Sequence, residues 1–80
     1  STMIVELTSA NFQQEVEQAE QPVIIDVFAN WCTPCRAFAP IFEAVSQIKK
    51  DDCKFAKIDF SHDSELANRL KVVAIPTILF

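Results

Sequence analysis

Val23-Ile24-Ile25-Asp26-Val27-Phe28-Ala29-Asn30-Trp31-Cys32-Thr33-Pro34-Cys35 carries a long apolar run into a close pair of cysteines. The length and β-branching of the run, from Val23 to Ala29, predict a central parallel strand covered on both faces. The residues after it predict a helix that starts near Cys32 and ends near Lys50. A separation of three puts both sulfurs on one side of a helical turn, with Cα atoms in the window of roughly 4.4 to 6.8 Å that a disulfide needs. The pair can therefore open and close with little backbone movement. At a helix start, the Cys32 sulfur faces amides that lack an intrahelical partner and the positive end of the helix dipole, and both favour thiolate over thiol. A thiolate is the nucleophile of disulfide exchange. Pro34 suits the first turn, where no N–H donor is needed and its fixed φ is already helical. Cys35 lies one turn further in and is placed to resolve a mixed disulfide rather than to start one.

Around this centre the 80 residues allow one domain, half of it hydrophobic, with seven Phe and no Gly. A chain this short buries about 60% of the surface its unfolded form exposes. The composition is that of a globular chain with a core. A net charge of −4 argues against nucleic acid or an anionic membrane as partner. No apolar run approaches the ~18 residues of a membrane span and no basic-then-apolar leader is visible, so the cytoplasm is the expected compartment. Ser1-Thr2 ahead of Met3 reads as an addition to a natural start at Met3, leaving 3–80 as the domain. Three cysteines, an odd number, do not make a disulfide scaffold.

In chain order, Ile4 to Leu7 reads as an edge strand. Thr8 or Ser9 is placed to cap a helix over Ala10 to Gln18, with Phe12, Val16 and Ala19 facing a sheet. In the helix after Cys32, Ile41, Val45 and Ile48 form an apolar stripe with Phe38 and Phe42 beside it, and Pro40 predicts a kink. Cys53 to Asp59 reads as a strand, Ser61 or Asp63 as the cap of a short helix through Leu66 and Leu70, and Ile75 to Phe80 as a last strand. The alternation of strand and helix implies a sheet between helices.

Phe28-Ala29-Asn30-Trp31-Cys32-Thr33-Pro34-Cys35-Arg36, the proline in the following helix, Lys57-Ile58-Asp59 and Ile75-Pro76-Thr77 resemble the thioredoxin family in order and spacing. The resemblance runs from Ile4 to Phe80. It implies a three-layer α/β/α fold with a central mixed sheet, lacking the final strand and helix that follow a glycine-rich hairpin in that family. It also implies a thiol–disulfide oxidoreductase that reduces protein disulfides, with no cofactor beyond a redox-active Cys32–Cys35 disulfide and with a thioredoxin reductase as electron donor. Cys32 is then the exposed attacking thiolate and Cys35 the resolving thiol. Asp26, an acid costly to ionise within its apolar run, exchanges a proton with Cys35, and Lys57 on the neighbouring strand tempers its charge. Pro76 matches the family's cis-proline, which frees the Ile75 backbone to pair with an extended substrate. Trp31, Thr33, Pro34, Phe60 and Ala74 complete the substrate surface.

Other readings stand beside these. Trp31 also reads as packing, Asp26 as a hydrated acid held by Lys57, Cys53 as a small buried hydrophobe, and His62 and Arg36 as solvated surface. Cys32, Cys35, Cys53 and His62 as a zinc site fits poorly, since the spacing beyond the close pair is wide. A non-catalytic binding module or an inactive fragment of the same fold is the second alternative. Thr33 stands where the family commonly has Gly, which bears on redox poise, and Lys71 stands at a helix exit where relatives place Gly or Asn. Residues 77–80 predict an apolar open edge, covered by the rest of a longer chain or by a second copy that pairs or swaps.

Overall fold

A computed structural model of the chain describes residues 4–80, so Ser1, Thr2 and Met3, and with them the reading of the natural start, lie outside the described residues. Strands β1 (Ile4–Glu6), β2 (Val23–Phe28), β3 (Lys54–Asp59) and β4 (Thr77–Leu79) form one sheet in the order β1-β3-β2-β4. β3 pairs in parallel with β1 and β2, whereas β4 runs antiparallel to β2. The sheet is therefore mixed, and β4 lies at its edge as expected. β4 is shorter than the predicted strand, because the Thr77 hydroxyl donates to the Ala74 carbonyl and keeps residues 74–76 in a turn.

The register assigns the two faces. Ile25 lies opposite Ala56 and Val27 opposite Ile58. These four pack with Leu7, Phe12, Leu66, Ala67 and Val72 into the main core. Each large side chain buried this way stabilises the fold by about 1.5–3 kcal/mol. The opposite face carries Asp26, Phe28, Phe55 and Lys57 and is covered by helix α1 (Thr33–Lys49). Phe42 of α1 meets Phe55 edge-on, with ring centroids 5.4 Å apart.

Three expectations for the helices change. The helix expected over Ala10 to Gln18 is a turn of π-helix at Gln13–Glu17. The Gln18 amide donates to the Gln13 carbonyl, the Ala19 amide to Val16, and Lys54 Nζ takes the Glu15 carbonyl at 2.9 Å as well as its carboxylate at 2.6 Å. A residue from β3 thus claims an acceptor that an α-helical ladder would use. Phe12 precedes the π-helical turn and gives it no side-chain cap; Thr8 caps the turn before it, its Oγ1 accepting from the Ala10 amide and its carbonyl from the Phe12 amide, while Ser9 binds Asp63.

In α1 the expected stripe faces outward. Ile41 and Ile48 are 57% and 75% exposed, while Cys35, Phe42 and Ser46 are buried. Neighbouring residues on a helix point about 100° apart, so directing Phe42 at the sheet turns Ile41 aside. Ser46 tolerates full burial because its hydroxyl donates to the Glu43 carbonyl at 2.6 Å. Pro40 lies inside the helix on its exposed side.

Of the two proposed caps for helix α2 (Ser64–Arg69), Asp63 serves, accepting from the Leu66 amide at 3.0 Å. The helix ends in a Schellman motif: the Val72 amide donates to Ala67 and the Lys71 amide to Asn68. Lys71 pays for this with a φ of +64°. A Cβ in that region costs roughly 1 kcal/mol. Lys71→Gly is accordingly expected to raise stability by about 1 kcal/mol, read as a higher urea midpoint at unchanged slope; an unchanged or lower midpoint contradicts the strain.

Candidate active site

The chain leaves β2 at Phe28 and enters α1 at Thr33, with Cys32 as the N-cap residue in extended conformation. Pro34 occupies the first turn as expected. The Cys35 amide donates to Cys32 Sγ at 3.2 Å, so the sulfur fills the place a serine or aspartate oxygen takes in most helices. Cys32 and Cys35 are joined as a disulfide, with Cα atoms 5.2 Å apart. Cys32 is 7% exposed and Cys35 2%, so the outer cysteine is not the exposed group that was expected. Ala29, Phe28, Phe60 and Ile75 pack around the pair and account for the cover.

Beside the disulfide, Trp31, Phe60, Val73, Ala74 and Ile75 line an apolar groove of about 230 Å³. Three separate parts of the chain meet here: the β2–α1 junction, the exit from β3 and the turn before β4. Trp31 is 69% and Val73 95% exposed, a concentration of accessible apolar surface next to a reactive bond. The Trp31 indole N–H donates to Ser61 Oγ at 3.0 Å, which fixes the ring and gives Ser61 a role other than capping. The Ile75–Pro76 peptide is cis. Thr33 and Pro34, between the cysteines, and Pro76, next to Ile75, are exposed and outside the groove lining.

Asp26 and Lys57 lie elsewhere, opposite each other in register on the α1 side of the sheet. Together with Asn30, Phe28 and Glu43 they line a second cleft, of about 260 Å³. Phe28 belongs to both places, since it also packs against the cysteines. Asp26 is 5% exposed, and among the described residues nothing donates a hydrogen bond to its Oδ1. Burial raises its pKa above the ordinary 3.8, and the Lys57 charge offsets part of that rise. The Lys57 ammonium sits over the Phe28 ring, 5.9 Å from its centroid.

Cys53 is half-buried and unbonded to another cysteine, and His62 is exposed. Among the described residues no group of three or more His, Cys, Asp or Glu side chains could hold a metal ion. No helix among them is long and apolar enough to cross a membrane. Glu43 and Val73 carry no signal of their own in the sequence, and Ser61 reads there only as a helix cap.

A family model for thioredoxin matches residues 3–80. The chain belongs to the thioredoxin family. Thioredoxin C-2 of Corynebacterium nephridii is 38% identical over 79 residues, which cover 99% of this chain and 73% of that protein. The thioredoxin of Mycobacterium tuberculosis is 35% identical over 75 residues, 94% of this chain and 65% of the relative. At the same identity and coverage of this chain, a bifunctional thioredoxin reductase/thioredoxin of Mycobacterium leprae is matched over 16% of its length. The chain thus spans just under two thirds of the mycobacterial thioredoxin. Against this thioredoxin frame, the observed mixed sheet and three layers are those the family resemblance implies.

The buried acid gives a stability test. A folded-state pKa above the unfolded 3.8 means that Asp26 contributes fully below that value and loses its contribution as pH rises through the folded pKa. Every tenfold loss of acidity is worth about 1.4 kcal/mol. Asp26→Asn is therefore expected to be more stable than the parent at pH ~7, with the gain vanishing below about pH 4, in urea unfolding at both pH values. A gain that persists in acid would assign the effect to packing.

Proposed function

We propose that this chain is a thiol–disulfide oxidoreductase that reduces protein disulfides through Cys32 and Cys35. The observation that carries the reading is the disulfide at the α1 N-terminus, with the Cys35 amide on Cys32 Sγ and the apolar groove alongside. In the dithiol form the same amide favours negative charge on Cys32. The Cys32 thiolate attacks one sulfur of a substrate disulfide; that bond breaks, a mixed disulfide forms, and the departing sulfur takes a proton. Cys35 then gives up its proton and attacks Cys32 Sγ. The bond to substrate breaks, the second substrate sulfur leaves with the electron pair and is protonated, and the 32–35 disulfide closes. Two electrons pass from protein to substrate, and no other group is consumed.

Asp26 accepts the Cys35 proton in this scheme, a role its raised pKa favours, and Lys57 limits the cost of the charge it acquires when it gives the proton back. The groove takes an apolar, extended stretch of substrate, with Trp31, Phe60 and Ala74 as walls, the Ile75 backbone as its pairing edge, and Thr33, Pro34 and Pro76 at the rim. No cofactor takes part. The electron donor is a thioredoxin reductase, a pairing that the name of the Mycobacterium leprae relative supports, and the compartment is the cytoplasm. The open side of β4, with Phe80 96% exposed beside it, is a pairing edge for the rest of a longer chain or for a second copy; sedimentation as a lone 9.0 kDa species at micromolar concentration counts against the second copy.

Insulin reduction by dithiothreitol tests the activity. The parent chain is expected to accelerate it, whereas Cys32→Ser falls to the uncatalysed background. Cys35→Ser is expected to accumulate a covalent adduct with insulin, visible by mass spectrometry and released by excess thiol. A parent chain no faster than background, with no adduct on the serine variant, leaves the binding-module reading in its place.

A further inference from the structure

Asp26 poses a delivery problem: a carboxyl 5% exposed has to exchange protons with solvent in every cycle. The cleft it lines contains a second carboxyl, that of Glu43. Cys35, Ala39 and Glu43 follow one another at intervals of four along α1, so they stack on a single row of the helix. Ala39 and Glu43 line the cleft together with Asp26. Glu43 is half-buried, yet its Oε2 is sealed from solvent, so one side chain reaches both the interior and the surface. The cleft that both carboxyls line offers about 260 Å³. That is room for several waters at about 30 Å³ each, with Asp26, Asn30, Glu43 and Lys57 in the lining to hold them.

We propose that Glu43 is the outer station of a proton path that runs from Cys35 through Asp26 to solvent. The proposal rests on the oxidoreductase reading above. In the resolving step the Cys35 proton moves to the Asp26 carboxylate while the sulfur's electron pair forms the bond to Cys32. Asp26 then passes that proton through cleft water to the Glu43 carboxylate, and Glu43 passes it to bulk water. One proton leaves the protein and both carboxylates return to their starting state. Other charged groups face Asp26 on this side of the sheet. Lys57 lies opposite it, Glu6 pairs with Lys57, and Asp59 lies opposite Phe28. Lys57 is a poor relay, because an ammonium that already holds its proton cannot accept another. Glu6 and Asp59 are outside the cleft lining, which leaves Glu43 as the carboxyl that shares a cavity with Asp26.

The test uses the whole 80-residue chain, reduced, freed of excess reductant and then reoxidised by hydroxyethyl disulfide. The protein's own remaining thiols are followed by acid quench, alkylation and mass spectrometry, because each turnover releases two mercaptoethanol thiols into solution. Glu43→Gln keeps the size and removes the proton site. It is expected to slow reoxidation about tenfold, short of the ~10²-fold typical of a group acting directly on the reacting atoms. Imidazole, small enough to enter the cleft, is expected to restore the rate in proportion to its concentration, while HEPES at equal strength does not. The parent chain and Glu43→Asp are expected to be insensitive to either buffer. A Gln variant as fast as the parent, or one slowed equally in both buffers, overturns the relay and leaves the cysteine chemistry standing. A parent chain that fails to reoxidise overturns both.

Discussion

The hydrogen bond from the Cys35 amide to Cys32 Sγ joins the fold to its chemistry. A helix leaves its first amides without internal acceptors, and in this chain a sulfur takes the capping place. Parallel pairing of β2 with β3 fixes where β2 ends, and the few residues from Ala29 to Cys32 leave little freedom in where α1 begins. The sulfur is therefore held against the helix by the whole central sheet. Whatever favours the capped helix also favours charge on that sulfur, so folding stability and thiol reactivity draw on the same contact.

The two aspartates with displaced acidity show how environment divides one residue type. Asp63 receives the Ser9 amide, the Leu66 amide and the Ser9 hydroxyl, and these donors hold its carboxyl below the usual range. It ties the loop after β1 to the start of α2, a structural task for which a permanent charge is suited. Asp26 sits among apolar side chains, has no donor on Oδ1 among the described residues, and is displaced upward. A group that holds its proton more tightly than usual, yet faces a cleft, is suited to exchange.

Much of this architecture is legible in the residues. The run from Val23 to Phe28, the alternation around Lys54 to Asp59 and the Cys-Thr-Pro-Cys helix start each depend on local pattern, and each lies where local pattern puts it. What is not legible depends on distant partners or on rotation. The π-helical turn requires Lys54 to arrive from β3. The outward turn of Ile41 and Ile48 follows from Phe42 meeting Phe55, and Ser46 is buried by a bond to its own helix, which no hydropathy pattern records. The same division holds at the site. Cys32, Cys35, Asp26 and Lys57 stand out by type and position, but strand register sets Asp26 opposite Lys57 in a cleft on the α1 face, while the cysteines lie at the start of α1, beside the groove. Glu43 belongs to the cleft because it lies about two turns along α1 from Cys35, on the row that also carries Ala39.

Trp31 is the chain's one tryptophan, and it immediately precedes the disulfide. Its indole is pinned by a neutral hydroxyl rather than by a carboxylate, and most of the ring is open to water. A disulfide is an efficient acceptor of an electron from an excited indole, and a dithiol is a poor one. The molecule is therefore expected to carry its own optical indicator, dimmer when oxidised than when reduced, with no competing indole and no tyrosine elsewhere in the sequence to blur the signal.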